Sequence, residues 1–371
     1  MYKKSRAVIC LLIAIFLVNI SICAQVNITA KSAVVMDGQS KRILYAKDEN
    51  EQLPFASTTK IMTAILAIEM CDMDQVVKID DRAIGIEGSS IHLEKGEELK
   101  VIDLLYGLML HSGNDAAVAL AIYISGDVDN FAALMNYKAK AIGAQHTNFA
   151  NPNGLPNSSH YTTAHDLTLI SQYAMSNDTF REIVSTKSVT IKSTGDTVRV
   201  RNLVNKNKLL YSYEGANGIK TGYTDLAGRC FCGAAEKNGM QLVSVVLNSS
   251  NTYGDTTKLF DYYFDNYSYY TFFAKGEYIL SIPITGSKAG EYKVYAPNDI
   301  LVPLSKDEAG TTQVKYNFPK ILQAPMKKGD KIGEIQIIFK DNSNINIDIT
   351  LQKDIKYKNT VFDYIIDFFK E

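Results

Sequence analysis

Strand-like runs at both ends of a long helical stretch constrain this chain most. Residues 33–36 and 42–45 are apolar, β-prone runs around an Asp37-Gly38 turn, the signature of a β-hairpin over 32–47. Far downstream, residues 218–221, 228–235 and 241–247 read as three further strands, the last two joined at Asn238-Gly239, a strong hairpin turn. Between them the apolar residues recur at helical spacing. A helix beginning near Ser57 carries Ile61, Ile65, Leu66 and Ile68 to about Met70, and others span 101–110, 114–124 and 129–142, the last stopped by Gly143. Thr163 is placed to cap one more helix, with Asp166 in its first turn. A hairpin around Gly195-Asp196 precedes the final strands, and a helix over about 255–267 follows them. Such a chain can bring strands from both ends into one antiparallel sheet backed by helices, an α/β unit.

The remainder is different in kind. From residue 276 to 351 only strands are readable, and Asn344, Ile345, Asn346, Ile347, Asp348 and Ile349 alternate strictly, as expected of a small all-β sandwich. The aromatic run over 262–273 reads as packing between the two parts. With 371 residues and 46% hydrophobic content, two domains with sizeable cores are expected, over 25–273 and 274–352. The net charge of −1 gives no electrostatic case for nucleic acid.

Both termini suggest work outside the cytoplasm. Lys3, Lys4 and Arg6 precede an apolar stretch to Ile20 and then Ser21-Ile22-Cys23-Ala24, the order of a secretory signal peptide over 1–24, with an uncleaved anchor helix as the rival reading. Residues 359–371 place Val361, Phe362, Ile365, Ile366, Phe368 and Phe369 against Asp363, Asp367 and Lys370 at helical spacing. This amphipathic helix is far too short to span a bilayer and is expected to lie on one, a peripheral membrane contact, with packing on the β domain as the rival reading. Cys71, Cys230 and Cys232 have no metal-ligand spacing, and neither His111 nor His160 belongs to a metal pattern or a Ser-His-Asp triad. No metal or other cofactor is expected.

The chemistry centres on Ser57-Thr58-Thr59-Lys60. Residues three apart lie on one helix face, so Lys60 can reach the Ser57 hydroxyl. A serine becomes a useful nucleophile only when a base takes its proton, and a neutral lysine can be that base. One such pair is cheap. Two further motifs change its weight: Ser112-Gly113-Asn114, in the break between two helices, and Lys220-Thr221-Gly222 followed by Tyr223, on a strand. Together, in that order, the three triplets mark the β-lactamases and penicillin-binding proteins.

Over most of residues 30–250 the chain resembles the serine D-Ala-D-Ala carboxypeptidases, the low-molecular-mass penicillin-binding proteins. The phrases that carry the resemblance are PFASTTKIMTA, GSSIHLEKGEELKVIDLLYGLMLHSGNDAAVALA, NPNGLPNSSHYTTAHDL and NGIKTGYTDLAGRC. The β-rich segment and amphipathic tail resemble the membrane-attached members. Two departures are Asn217, where many relatives have an acid, and Lys206, where some carry arginine.

The resemblance implies a β-lactamase/transpeptidase-like fold and removal of the terminal D-Ala from peptidoglycan stem peptides ending in D-Ala-D-Ala, with covalent inhibition by β-lactams. Ser57 would attack the penultimate carbonyl, and Lys60 would act as base if burial and Lys220 lower its pKa. Ser112 and Asn114 would relay a proton to the leaving amine and hold the peptide. The backbone N–H groups of Ser57 and Tyr223 would form an oxyanion hole. Lys220 and Thr221 would bind the terminal carboxylate, with Gly222 keeping the strand open. Two other readings share the acylation step: a serine β-lactamase and a non-hydrolytic β-lactam sensor. The first needs a deacylating Glu, and the sole glutamate between Asn114 and Lys220 is Glu182, in a helical setting.

Overall fold

The computed structural model describes residues 26–357. The signal-peptide reading of 1–24 and the amphipathic helix over 359–371 lie outside the described residues. In chain order the first domain comprises strands β1 (Ser32–Asp37) and β2 (Ile43–Lys47), a 3₁₀ turn (Ala56–Thr59) running into helix α1 (Lys60–Met70), strands β3 (Val76–Lys78) and β4 (Glu97–Lys100), and helices α2 (Val101–Leu110), α3 (Asn114–Ser125), α4 (Val128–Ile142), α5 (Ala164–Met175) and α6 (Asp178–Ser185). There follow β5 (Ser188–Lys192), β6 (Thr194–Gly195), β7 (Val200–Val204), the short α7 (Leu209–Ser212), β8 (Ala216–Thr224), β9 (Gly228–Lys237), β10 (Met240–Leu247) and α8 (Thr252–Asn266).

The helix limits follow from local chemistry. Asp127, Thr163, Asn177 and Asn251 each accept a backbone N–H at a helix start, and Gly126 and Gly143 end α3 and α4 in the left-handed conformation. Asn238 and Gly239, both at positive φ, make the tight β9–β10 turn.

The two ends of the domain do meet in one sheet. Its order is β2-β1-β10-β9-β8, with β1 antiparallel to β10 and Ser32 opposite Leu247. One face packs on the helical core, where Ile61, Ile65, Leu104, Leu108, Leu120, Phe131 and Ile219 are buried, and the other packs on α8 through Phe231, Leu259 and Phe260. Cys230 and Cys232 are buried apolar members of the first core. β8 is the sheet edge, so part of its backbone faces the helical half instead of another strand. The sheet edge and the helical half therefore bound a cleft.

The second domain is built from β11 (Tyr267–Phe273), β12 (Tyr278–Thr285), β13 (Glu291–Tyr295), β14 (Ile300–Ser305), β15 (Gln313–Asn317), β16 (Leu322–Gln323), β17 (Lys331–Ile338) and β18 (Asn344–Thr350), arranged in small sheets around their own core. The sequence reading ends the first domain at 273. Pairing of β11 with β14 instead puts 267–273 with the second domain, because the aromatic run continues from a helix into a strand without a break in composition. The run nevertheless serves the join: the Tyr269 hydroxyl donates to Asp37, and Arg42 lies over the Tyr267 and Phe339 rings while pairing with Glu308.

Candidate active site

Ser57 sits in the 3₁₀ turn that feeds α1, and Lys60 is the first residue of that helix. The Lys60 amine is fully buried and touches three oxygens: Ser57 Oγ at 2.9 Å, Asn114 Oδ1 at 2.7 Å and the Asn153 carbonyl at 2.5 Å. The Asn114 amide is oriented unambiguously, because its nitrogen donates to the Glu87 carbonyl, which can only accept. Two of the three oxygens around Lys60 are thus pure acceptors. A neutral amine has two N–H bonds, which these two acceptors take, leaving its lone pair for the Ser57 hydroxyl proton.

The electrostatics favour that neutral form. Burial pushes the Lys60 pKa well below the ordinary lysine range, and the Lys220 and Lys206 charges push the same way, with Asp115 opposing. Lys220, on β8, is also buried; burial first and Lys206 second bring it down to about 7. Its amine donates to the Thr221 carbonyl at 3.1 Å, so it backs the cleft wall instead of projecting into it.

Backbone conformation at the motifs is unusual. Ala56, immediately before Ser57, has φ +48°, and Ser112 has φ +62°. Non-glycine residues seldom adopt this region, and neighbours must over-determine it where they do. Here Thr58 and Thr59 hydroxyls donate to the Phe55 and Ala56 carbonyls, and the Gly113 amide donates to the Gly107 carbonyl. Gly222 lies so close to the serine turn that a Cβ there would stand 3.1 Å from the Phe55 carbonyl oxygen and the Ser57 amide nitrogen. That is tighter than side-chain Cβ atoms ordinarily pack, so glycine suits the close approach of the strand edge to the turn.

A cavity of about 360 Å³ is lined by Ser57, Ser112, Thr221, Gly222 and Tyr223, together with Ser89, Lys206, Arg229, Cys230, Thr252 and Tyr253. Of the eight residues expected from sequence, five line this cavity, while Lys60, Asn114 and Lys220 stand buried around it. Glu182 is exposed on α6 and is not among the lining residues, so the glutamate a class A β-lactamase would need for deacylation has no counterpart there. Among the described residues no cluster of three or more His, Cys, Asp or Glu is arranged to hold a metal ion.

Several contributing residues escaped the sequence reading. The Asn153 carbonyl is held in the loop whose Asn151 side chain accepts the Asn153 and Gly154 amides; the Asn-Pro-Asn-Gly turn signal marks the loop but not its contact. Asp115 is buried and accepts from Ser90 Oγ and from the Ile91 and Leu93 amides, which fixes the Ser89-bearing loop over the start of α3. His160 was read as structural, and it is a buried ring stacked on Phe55 at 4.6 Å. Its Nδ1 accepts the Ala150 amide at 3.0 Å, so Nε2 carries the proton and donates to Thr59 Oγ1 at 2.7 Å. Burial, with a smaller contribution from Lys60, brings His160 down to about 4.

Comparison with known proteins points to one family. Residues 19–251 match the family model described as D-alanyl-D-alanine carboxypeptidase, and residues 267–357 match the one described as penicillin-binding protein 5, C-terminal domain. A D-alanyl-D-alanine carboxypeptidase, DacF, of Bacillus subtilis is 32% identical over 84% of this chain and 82% of its own length. The crystal structure of penicillin binding protein 5 from Haemophilus influenzae superposes with a TM-score of 0.74 at 28% identity, covering 89% of this chain and 98% of that one. The D-alanyl-D-alanine carboxypeptidase DacD from Francisella tularensis gives 0.68 at 29% identity, over 90% and 95%.

Proposed function

The chain belongs to the D-alanyl-D-alanine carboxypeptidase family and is a hydrolase of that class, and from this premise we propose how its own residues perform the reaction. The substrate is a peptidoglycan stem peptide ending in D-Ala-D-Ala. Ser57 Oγ attacks the carbonyl carbon of the penultimate D-alanine while its proton passes to the neutral Lys60 amine. The Oγ–C bond forms, and the negative charge on the carbonyl oxygen is met by the Ser57 and Tyr223 amides. Collapse breaks the C–N bond, and the leaving D-alanine nitrogen takes a proton from the Ser112 hydroxyl, which Lys60 resupplies. Water, giving a proton back to Lys60, then hydrolyses the ester and restores Ser57.

Asn114 holds both the Lys60 amine and the peptide. The Thr221 hydroxyl lies on the carboxylate side of the cleft, with Lys220 behind it. A β-lactam enters by the same first step and remains as an ester on Ser57. The observation that carries this reading is the lysine geometry: the buried Lys60 amine lies 2.9 Å from Ser57 Oγ, with two pure acceptors, Asn114 Oδ1 and the Asn153 carbonyl, beside it. General-base assistance of this kind contributes about 10²–10⁴-fold.

The protein is exported through its N-terminal leader and works at the outer face of the cytoplasmic membrane, held there by the apolar side chains of segment 359–371. The first domain, which holds all three motif triplets, is the catalytic one. The test of the nucleophile is Ser57→Ala, followed by mass spectrometry with penicillin and with a D-Ala-D-Ala peptide. Loss of both the penicillin adduct and D-alanine release, with an unchanged circular dichroism spectrum, is expected; an adduct that persists overturns the assignment.

A further inference from the structure

Resting on that carboxypeptidase reading, we infer that Arg201 is a positioning residue of the reaction: by pinning the 87–93 loop it fixes the Asn114 amide that faces the Lys60 base. The placement starts from the strand. β7 reads Val200-Arg201-Asn202-Leu203-Val204, and its alternation turns Arg201 and Leu203 toward the domain while Val200, Asn202 and Val204 are exposed. A guanidinium turned inward must find acceptors for its N–H groups.

Those acceptors lie on the loop and on β4. Arg201 Nε donates to the Ile91 carbonyl at 2.6 Å and Nη2 to the His92 carbonyl at 2.6 Å, while Nη1 and Nη2 each reach a Glu97 oxygen at 2.8 Å. The Glu97 side chain is 0% exposed and that of Arg201 11%. Glu97 is itself held by the Glu94 amide and the Ser193 hydroxyl, both at 2.9 Å. The carboxylate therefore aims the guanidinium, and the guanidinium clamps two successive carbonyls. The clamp falls where the backbone needs it: His92 has φ +59°, a conformation that non-glycine residues keep only where neighbours impose it. Asp115 grips the same stretch from the other side, through Ser90 Oγ and the Ile91 and Leu93 amides, so the loop is held between α3 and β7.

What the loop carries is orientation. Its Glu87 carbonyl accepts from Asn114 Nδ2 at 2.5 Å, and its Ser89 carbonyl accepts the Asn114 backbone amide at 2.7 Å. Gly88, between them, passes so near that a Cβ there would stand 2.9 Å from Asn114 Nδ2. The Glu87 contact is what turns the Asn114 oxygen, and not its NH₂ group, toward Lys60. An Asn114 amide released from Glu87 is free to rotate and present a donor to the lysine, replacing an acceptor beside the base. Arg201 is not among the residues that line the cavity, so it acts through the loop and Asn114 without touching the substrate.

The test is the rate of acylation by penicillin, followed by quenched mass spectrometry over a range of penicillin concentrations. Arg201→Gln is combined with Glu97→Gln so that no buried carboxylate is left unpaired; Arg201→Lys is made separately, and both are repeated in an Asn114→Ala background. The Gln/Gln protein, with its fold checked by circular dichroism, is expected to lose about 10- to 100-fold in maximal acylation rate, as for a displaced catalytic contact, with the half-saturating concentration unchanged. Arg201→Lys keeps the charge but not the planar fork, and should fall between. Without Asn114, the Arg201 changes should cost nothing further, because the group they act through is gone. A wild-type rate in the folded Gln/Gln protein, a loss confined to half-saturation, or a loss that persists in full without Asn114 overturns the inference. Should the Gln/Gln protein fail to fold, Arg201→Lys decides by the same comparisons. Wild type that takes no penicillin is a separate result, which fails the carboxypeptidase reading itself.

Discussion

Acid should loosen the catalytic serine turn through one buried ring, His160. The neutral imidazole is wired at both nitrogens: Nδ1 accepts the Ala150 amide, and Nε2–H donates to Thr59, whose hydroxyl in turn donates to the Ala56 carbonyl. A second proton would have to sit on Nδ1, where it faces another donor. His160 therefore ties the turn that precedes Lys60 to the loop that supplies the Asn153 carbonyl, and it can do so only while neutral. Its pKa falls from the ordinary 6.5 to about 4, chiefly through burial. At about 1.4 kcal/mol per pH unit, this is a preference of about 3 kcal/mol for the neutral ring in the folded state.

The sign follows from the depressed value. Above about 6.5 the ring is neutral whether folded or not, and stability from this source is fully present. Between 6.5 and about 4 the unfolded chain binds the proton and the folded one does not, so stability falls as pH drops; below about 4 the loss is complete. The comparison is wild type against His160→Gln, whose amide can still donate to Thr59. Urea unfolding of the first domain is followed by tyrosine near-ultraviolet circular dichroism, since the chain has no tryptophan, at pH 7.5 and 4.5 and fixed ionic strength. Paired carboxylates such as Glu97 and Asp166 titrate alike in both proteins and cancel. The wild type should lose about 2–3 kcal/mol more than the variant over that interval. Equal acid sensitivity in the two proteins refutes the reasoning.

Two further outcomes are expected. Gly154 has φ +86°, and a Cβ there would stand 2.1 Å from the Ala56 carbonyl oxygen, so Gly154→Ala must push the 151–155 loop off the serine turn; penicillin acylation should slow by about 10²-fold or more, as for a displaced catalytic contact, and an unchanged acylation rate would show that the Asn153 carbonyl is dispensable. Deleting residues 359–371 from the leaderless protein should move it from membrane to soluble fractions with peptide cleavage unchanged, because anchoring rests on the Phe and Ile side chains of that segment; a truncated protein that stays with the membrane or unfolds contradicts the anchor reading.

What the sequence made legible, and what it hid, divide along a physical line. Features governed by neighbours in the chain were readable: the 101–110 helix, the Thr163 cap on Asp166, the Asn238-Gly239 turn and the three motif triplets all reappear in the structure. Features made by atoms without a side-chain signature were not. The Asn153 carbonyl belongs to no motif, yet it accepts a hydrogen bond from the Lys60 amine. Ala56 at φ +48° is hidden for the opposite reason, since alanine is a residue that composition would never assign to the left-handed region. Lys60 shows where the division falls within a single residue. Its identity and its spacing from Ser57 are local facts, but its charge state depends on Asn114, Asn153 and Lys220, drawn from three separate stretches. A Ser-x-x-Lys pair on an exposed helix would present an ammonium ion to its serine and do nothing. Here the fold removes the lysine from water, sets the Lys220 amine behind it and places two acceptors beside it, and the proposed role of Lys60 as base rests on those three features.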